Sequence, residues 1–265
     1  MQEVRRPVGR EIIDALAAVQ EHATSVAALI HYDLKDAVER FLLSYFATSI
    51  ELAAGCIALA NHTETIGIPI LARSVLEAHV DFRCLLADPG YKECIEAAHD
   101  LEWAKVIDEA VAGGGAYLAK LGAEPAVLHE RVKIAEREQL RASLGVRRLR
   151  AKQRFERAGM DEAYYSVYNF LCAEAHNDAR ALISRHIKED AQGVIRLTIF
   201  GDDCGFVETG LMQVHDVLSA MTDAICKRFK IVEPDRSTVN ATYEAARRVV
   251  AARDSSMPSG VQAGP

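Results

Sequence analysis

Proline is scarce in this chain, seven in 265 residues, and aromatic residues make up only 6% with a single tryptophan. Segments of alternating apolar and polar residues are scarce as well, so a central sheet of four or more strands is not expected. The six cysteines (Cys56, Cys84, Cys94, Cys172, Cys204, Cys226) stand apart, and no two form a C-x-x-C pair. That spacing excludes a zinc knuckle or a dense disulfide framework and fits reduced thiols in a cytoplasm. Long apolar runs are lacking too. The most apolar stretch, Ile50–Ala60, is short and contains Glu51, against the roughly 20 residues of a membrane span. Met1–Arg10 is charged and no apolar core follows it, so neither a secretory signal nor membrane contact is expected.

The common catalytic signatures are also missing. There is no Walker loop and no G-x-G-x-x-G, and Gly113–Gly115 follows no strand, so no phosphate cradle is expected there. H-E-x-x-H and G-x-S-x-G are absent. Glu77-Ala-His79 and Glu174-Ala-His176 have the wrong spacing for a di-iron bundle. The expectation is a protein with no cofactor and no metal.

What remains is helical. Half the residues are hydrophobic and 26% are charged, ordinary values for a folded globule, with a formal net charge of −7. Leu34, Val38, Phe41, Leu42, Tyr45, Phe46 and Ile50 recur at three- and four-residue steps, one apolar stripe of a long helix. Similar stripes follow almost to the end of the chain. The only strand-like patch, Val194–Phe200, gathers β-branched residues between two glycines. The pattern predicts an all-α, multi-helix bundle with at most one small β-hairpin. It occupies residues 1–253 as a single helical domain, followed by a disordered tail over 254–265 that is rich in Gly, Ser and Pro.

Polar side chains inside an apolar stripe are informative, because burying them unpaired costs a few kcal/mol each. Arg73 and Glu77 lie four apart, close to the line of Ile70, Leu76 and Val80. Tyr165, Tyr168, Cys172 and His176 share a face of a later helix at three- and four-residue steps. If those helices pack together, Arg73, Glu77, Tyr168 and His176 converge. An internal polar network that fixes helix register is the plain reading of such a cluster; a site for a small anionic ligand or a protein partner is the functional one.

The segments IPILARSVLEAHVDF and YSVYNFLCAEAH resemble a family of helical bacterial proteins of unknown function. In that family an R-x-x-x-E helix is followed by a Y-x-x-x-(S/C)-x-x-x-H helix. The resemblance runs over about Ala37–Lys230 and carries ligand-binding expectations onto Arg73, Glu77, Tyr168, Cys172 and His176. The family is distantly similar to HEPN domains, many of which are metal-independent ribonucleases of phage defence with an R-x(4–6)-H motif. The resemblance therefore implies an alternative, a HEPN-type ribonuclease with Arg73 on phosphate and His79 or His176 as general acid/base. Arg73–His79 and Arg180–His186 both fit the motif, no more often than this composition places such pairs by chance.

A third reading rests on charge. Over Arg131–Arg157 ten Lys or Arg stand against three Glu, and a continuous helix from Pro125 to Ala158 puts Arg147, Arg150, Arg154 and Arg157 on one face. Such a face suits RNA or DNA, since phosphate contacts dominate that affinity. Without aromatics interleaved for base stacking, it suits equally well pairing with acidic groups of the protein itself, within one chain or across a homodimer.

Overall fold

The computed structural model describes residues 8–33, 35–62, 65–176, 178–189, 192–197 and 204–256. Helices dominate these residues: α1 (Arg10–Ala27), α2 (Ala37–Asn61), α3 (Ile68–Ala87), α4 (Lys92–Val111), α5 (Ala116–Gly122), α6 (Pro125–Ser143), α7 (Ala151–Arg157), α8 (Asp161–Ala163), α9 (Asn169–Ala175), α10 (Ala179–His186), α11 (Cys204–Phe229) and α12 (Ser237–Ser256). One turn of π-helix, Tyr164–Tyr168, joins α8 to α9. A two-stranded antiparallel hairpin pairs β1 (Ile187–Glu189) with β2 (Ile195–Leu197). The protein is all-α, with that one small hairpin among the described residues. Of the tail expected over 254–265, α12 includes residues 254–256 and residues 257–265 lie outside the described ones.

The chain divides into two compact units. The first comprises Met1–Lys35, Leu43–His79 and Glu162–Pro265; the second comprises Asp36–Leu42 and Val80–Asp161. In the first unit α1 packs on α11 and α12. Ile12, Leu16, Val19 and Val26 of α1 and Leu211, Val214, Leu218, Met221 and Ile225 of α11 are buried at helical spacing. Full burial of each such side chain stabilises by about 1.5–3 kcal/mol before entropy is counted. In the second unit Ala104 and Ile107 of α4 meet Ile134 of α6, with Trp103 and Val127 packed against them.

Helix ends follow local chemistry. Pro69 sits in the first turn of α3, where a missing N–H costs nothing. The Asp88 carboxylate accepts from Gly90 N–H at 2.8 Å, capping the short turn that leads into α4. The expected continuous helix over Pro125–Ala158 is two helices, because Gly145 adopts a left-handed φ of 70°. Val146 N–H reaches back to the Arg141 carbonyl and Gly145 N–H to that of Ala142, a closing pattern that stops α6. Gly159, at φ 65°, ends α7 in the same way.

Helix α2 is long and apolar enough, by length and composition alone, to cross a membrane, and it extends well beyond the apolar stretch Ile50–Ala60. Its exposed positions carry Arg40, Ser44, Thr48, Glu51, Ala54 and Ala58, while Leu42, Phe46, Ala53 and Cys56 are buried.

Candidate functional site

Within the first unit, Arg73 and Glu77 project from the same side of α3, one turn apart. Their side chains meet with Arg73 Nε–H donating to Glu77 Oε1 at 2.9 Å. The Tyr168 hydroxyl donates to that same oxygen at 3.0 Å. Arg73 Nη1 lies 2.7 Å from His176 Nε2. A guanidinium only donates, so Nε2 is the acceptor in this contact, the role it has in the Nδ1–H tautomer of the ring. The Arg73 guanidinium carbon also sits 5.7 Å from the centre of the Tyr168 ring.

The backbone that delivers Tyr168 is unusual. The π-helical turn Tyr164–Tyr168 advances the register by part of a turn before α9 resumes. It stacks Tyr164 on Tyr168 at 5.5 Å and sets Tyr165 edge-on to Tyr164 at 5.2 Å. Tyr168 is buried and Tyr165 exposed, so an aromatic ledge runs from the ionic cluster to the surface. Single π-turns of this kind frequently occur at functional sites. His176 closes α9, its N–H bonded to the Cys172 carbonyl at 2.9 Å.

The electrostatics are consistent with this geometry. Burial pushes the Tyr168 hydroxyl well above the usual tyrosine range, helped by the Glu77 charge and by a hydrogen bond with Cys172, so the phenol keeps the proton it donates. Burial works against the Arg73 charge, yet Glu77, Cys172 and Tyr168 together raise it, and the guanidinium remains a cation. Glu77 and Tyr168 thus hold Arg73 from one side. Nε–H goes to Glu77, one Nη1–H to His176, and the Tyr168 hydroxyl is a further neighbour. At least two of the five N–H groups have no partner among the described residues.

Arg73, Glu77, Tyr168, Cys172 and His176 are therefore brought together, and the cluster is more open than a core network. Arg73 and Glu77 side chains are 22% and 31% exposed, and His176 is exposed. A Glu77→Ala variant is expected to lose about 1–2 kcal/mol, less than a fully buried pair would cost, because solvent screens part of the interaction. Thermal melts should show this as a drop of roughly 2–8 °C. His79 is buried, and six residues along α3 turn it about 120° away from Arg73.

The basic segment, in the second unit, is not a helical stripe. Arg147 and Arg150 lie in the connection between α6 and α7 and are exposed. Arg154 makes a two-pronged pair with Asp81 at 2.8 and 2.7 Å, and Arg157 reaches Asp88 at 2.5 Å while lying 5.1 Å over the Tyr91 ring. The shared helical face is lost because Gly145 breaks the helix. Two of the four arginines are thus held by carboxylates of their own chain.

Sequence reasoning missed a second ionic cluster, where Asp100, Glu93 and Glu96 of α4 meet Arg137 and Arg141 of α6. The sequence carries three acids at three- and four-residue steps and two arginines four apart, a pattern that marks a cluster only once α4 and α6 are paired.

A helical protein with an ionic, partly open side-chain cluster built on two helices is the class defined by this fold and site. The chain belongs to DUF5677, a family of unknown function, whose model matches residues 39–194. The match includes both cluster-bearing segments and stops short of Lys230, where the sequence resemblance ended. No curated protein and no solved structure matches the chain.

Proposed function

We propose that this protein binds a small anionic ligand, a phosphate or carboxylate group, at Arg73 and His176. The observation that carries the reading is the restrained guanidinium: Glu77 and Tyr168 fix it from behind, and donors remain unused beside the exposed His176. A purely structural arginine is usually saturated; one held at its Nε with spare Nη donors is organised to receive a planar or tetrahedral anion in a forked geometry. Tyr165, exposed on the adjoining ledge, offers a face for a ring attached to that anion. The five free cysteines among the described residues support a reducing, cytoplasmic setting, and the polar face of α2 supports a role away from membrane.

The test is calorimetric titration of inorganic phosphate and of acetate into the wild type and His176→Ala. Binding that weakens about tenfold or more in the variant supports the reading; equal affinity in both, or none in either, contradicts it.

The 2.7 Å Arg73–His176 contact also favours a second reading, a HEPN-type metal-independent ribonuclease. An imidazole whose Nε2 accepts, beside a phosphate-binding guanidinium, is equipped as a general base. Cleavage of RNA in the presence of EDTA, abolished by His176→Ala and retained by His79→Ala, would select it. RNA or DNA binding through the basic segment is left with Arg147 and Arg150, since Arg154 and Arg157 are engaged by Asp81 and Asp88.

A further inference from the structure

The second unit holds a cavity of about 580 Å³ that plays no part in the Arg73 site. Its volume falls in the range of roughly 300–1,000 Å³ typical of small-molecule sites. Phe41 and Ile95 form apolar walls, Glu96, Asp100, Arg137 and Arg141 supply the charged side, and the His99 imidazole completes the lining.

That charged side is asymmetric. Asp100 is buried and fully matched: Arg137 Nε and Nη2 donate to its two oxygens at 2.8 Å each, and Arg141 Nη1 adds a third bond at 2.5 Å. The same guanidinium groups serve further acids. Arg141 lies 3.3 Å from Glu96 and 3.6 Å from Glu93, and Arg137 donates to Glu130 at 2.8 Å. Four carboxylates thus share two guanidinium charges and the Lys92 ammonium, which lies 3.1 Å from Glu93, and the cluster is left negative by one charge. A clamp that served only to join α4 to α6 would balance with one carboxylate for each arginine. Glu96 spends one oxygen on Arg141 at 3.3 Å, while its Oε1 takes no hydrogen bond among the described residues. An acceptor oxygen at the edge of an apolar cavity, under a net negative field, is complementary to an ammonium group on an apolar body.

We propose that this cavity binds a small lipophilic organic cation, an amine carried on an aromatic or alkyl body. The body packs on Phe41 and Ile95, and the ammonium is held by the Glu96 carboxylate. The assignment is independent of the anion site, whose residues all lie in the other unit.

The experiment titrates three probes of similar size and different charge into the full-length protein by calorimetry: 2-phenylethylamine, 2-phenylethanol and phenylacetate. The amine is expected to bind at least about tenfold more tightly than the alcohol, with phenylacetate weakest. Glu96→Gln, an isosteric change at a half-exposed residue, should reduce amine affinity about tenfold and leave alcohol binding unchanged. Ile95→Trp fills the cavity and should abolish binding of all three, with circular dichroism checking that it folds. Arg73→Ala should bind the amine as the wild type does. Equal affinity for amine and alcohol, preference for phenylacetate, no binding of any probe, or an amine affinity insensitive to Glu96→Gln would each overturn the proposal.

Discussion

Arg73→Ala is expected to weaken phosphate binding by about a hundredfold or more while preserving the helical content of the chain. Each hydrogen bond to a charged group contributes about 1.5–3 kcal/mol, and the forked guanidinium offers two. Arg73→Lys separates charge from geometry. A lysine keeps the cation and loses the planar fork together with the Nε–H that Glu77 holds, so affinity should recover only in part. The effect on folding is smaller. The Arg73 side chain is 22% exposed and its partner Glu77 retains the Tyr168 hydroxyl, so a loss of about 1 kcal/mol is expected. A large loss of binding with a small change in melting temperature is the signature of a ligand site; the reverse pattern would mark a structural pair.

The largest stability effect is expected in the second unit. Asp100→Ala removes the carboxylate on which Arg137 and Arg141 converge and leaves the buried Arg141 with only the more distant Glu96 and Glu93. Breaking a buried pair by deleting one partner costs about 3–5 kcal/mol. Thermal melts should fall by roughly 6–20 °C for a chain of this size. The pH dependence has a definite sign. Hydrogen bonds from Arg137 and then Arg141 hold the Asp100 carboxyl below the usual carboxylate range, against the effect of burial. Its contribution is therefore fully present above the unfolded-state value of about 3.9 and is lost as pH falls through the depressed folded-state value. Asp100→Asn should flatten that acid limb of the stability curve. An acid limb of unchanged steepness in the variant would show that other carboxylates carry it.

Helical periodicity made most of the fold legible, because a buried stripe at three- and four-residue spacing has no competing explanation over twenty residues. The errors fall where one glycine decides. Gly145, in a left-handed conformation, splits the helix expected over Pro125–Ala158, and the arginine face drawn on that helix disappears with it. A glycine beyond a basic, weakly apolar run is easily absorbed into a pattern that its neighbours continue. The π-turn at Tyr164–Tyr168 was likewise invisible, since nothing in five residues distinguishes it from the α-helix around it.

The Arg73 cluster was readable for a physical reason: paired polar residues on an apolar stripe need partners, and the candidates were few. What the pattern did not reveal was depth. Periodicity places a residue on a face and says nothing of whether the neighbouring helix covers it completely, so a core network was as consistent with the sequence as the partly open site. The Asp100 cluster escaped because acids on α4 and arginines on α6 each read as a solvated helix face until the two helices are paired.

The central claim, that Arg73 and His176 form an anion site, is tested most directly by the nitrogen-15 spectrum of the His176 imidazole during a phosphate titration. The account predicts that in the Arg73 contact the ring carries its proton on Nδ1, with Nε2 accepting from Arg73, and that added phosphate shifts both nitrogens saturably. A ring protonated on Nε2 in the free protein, or His176 resonances unmoved throughout the phosphate titration, would contradict it.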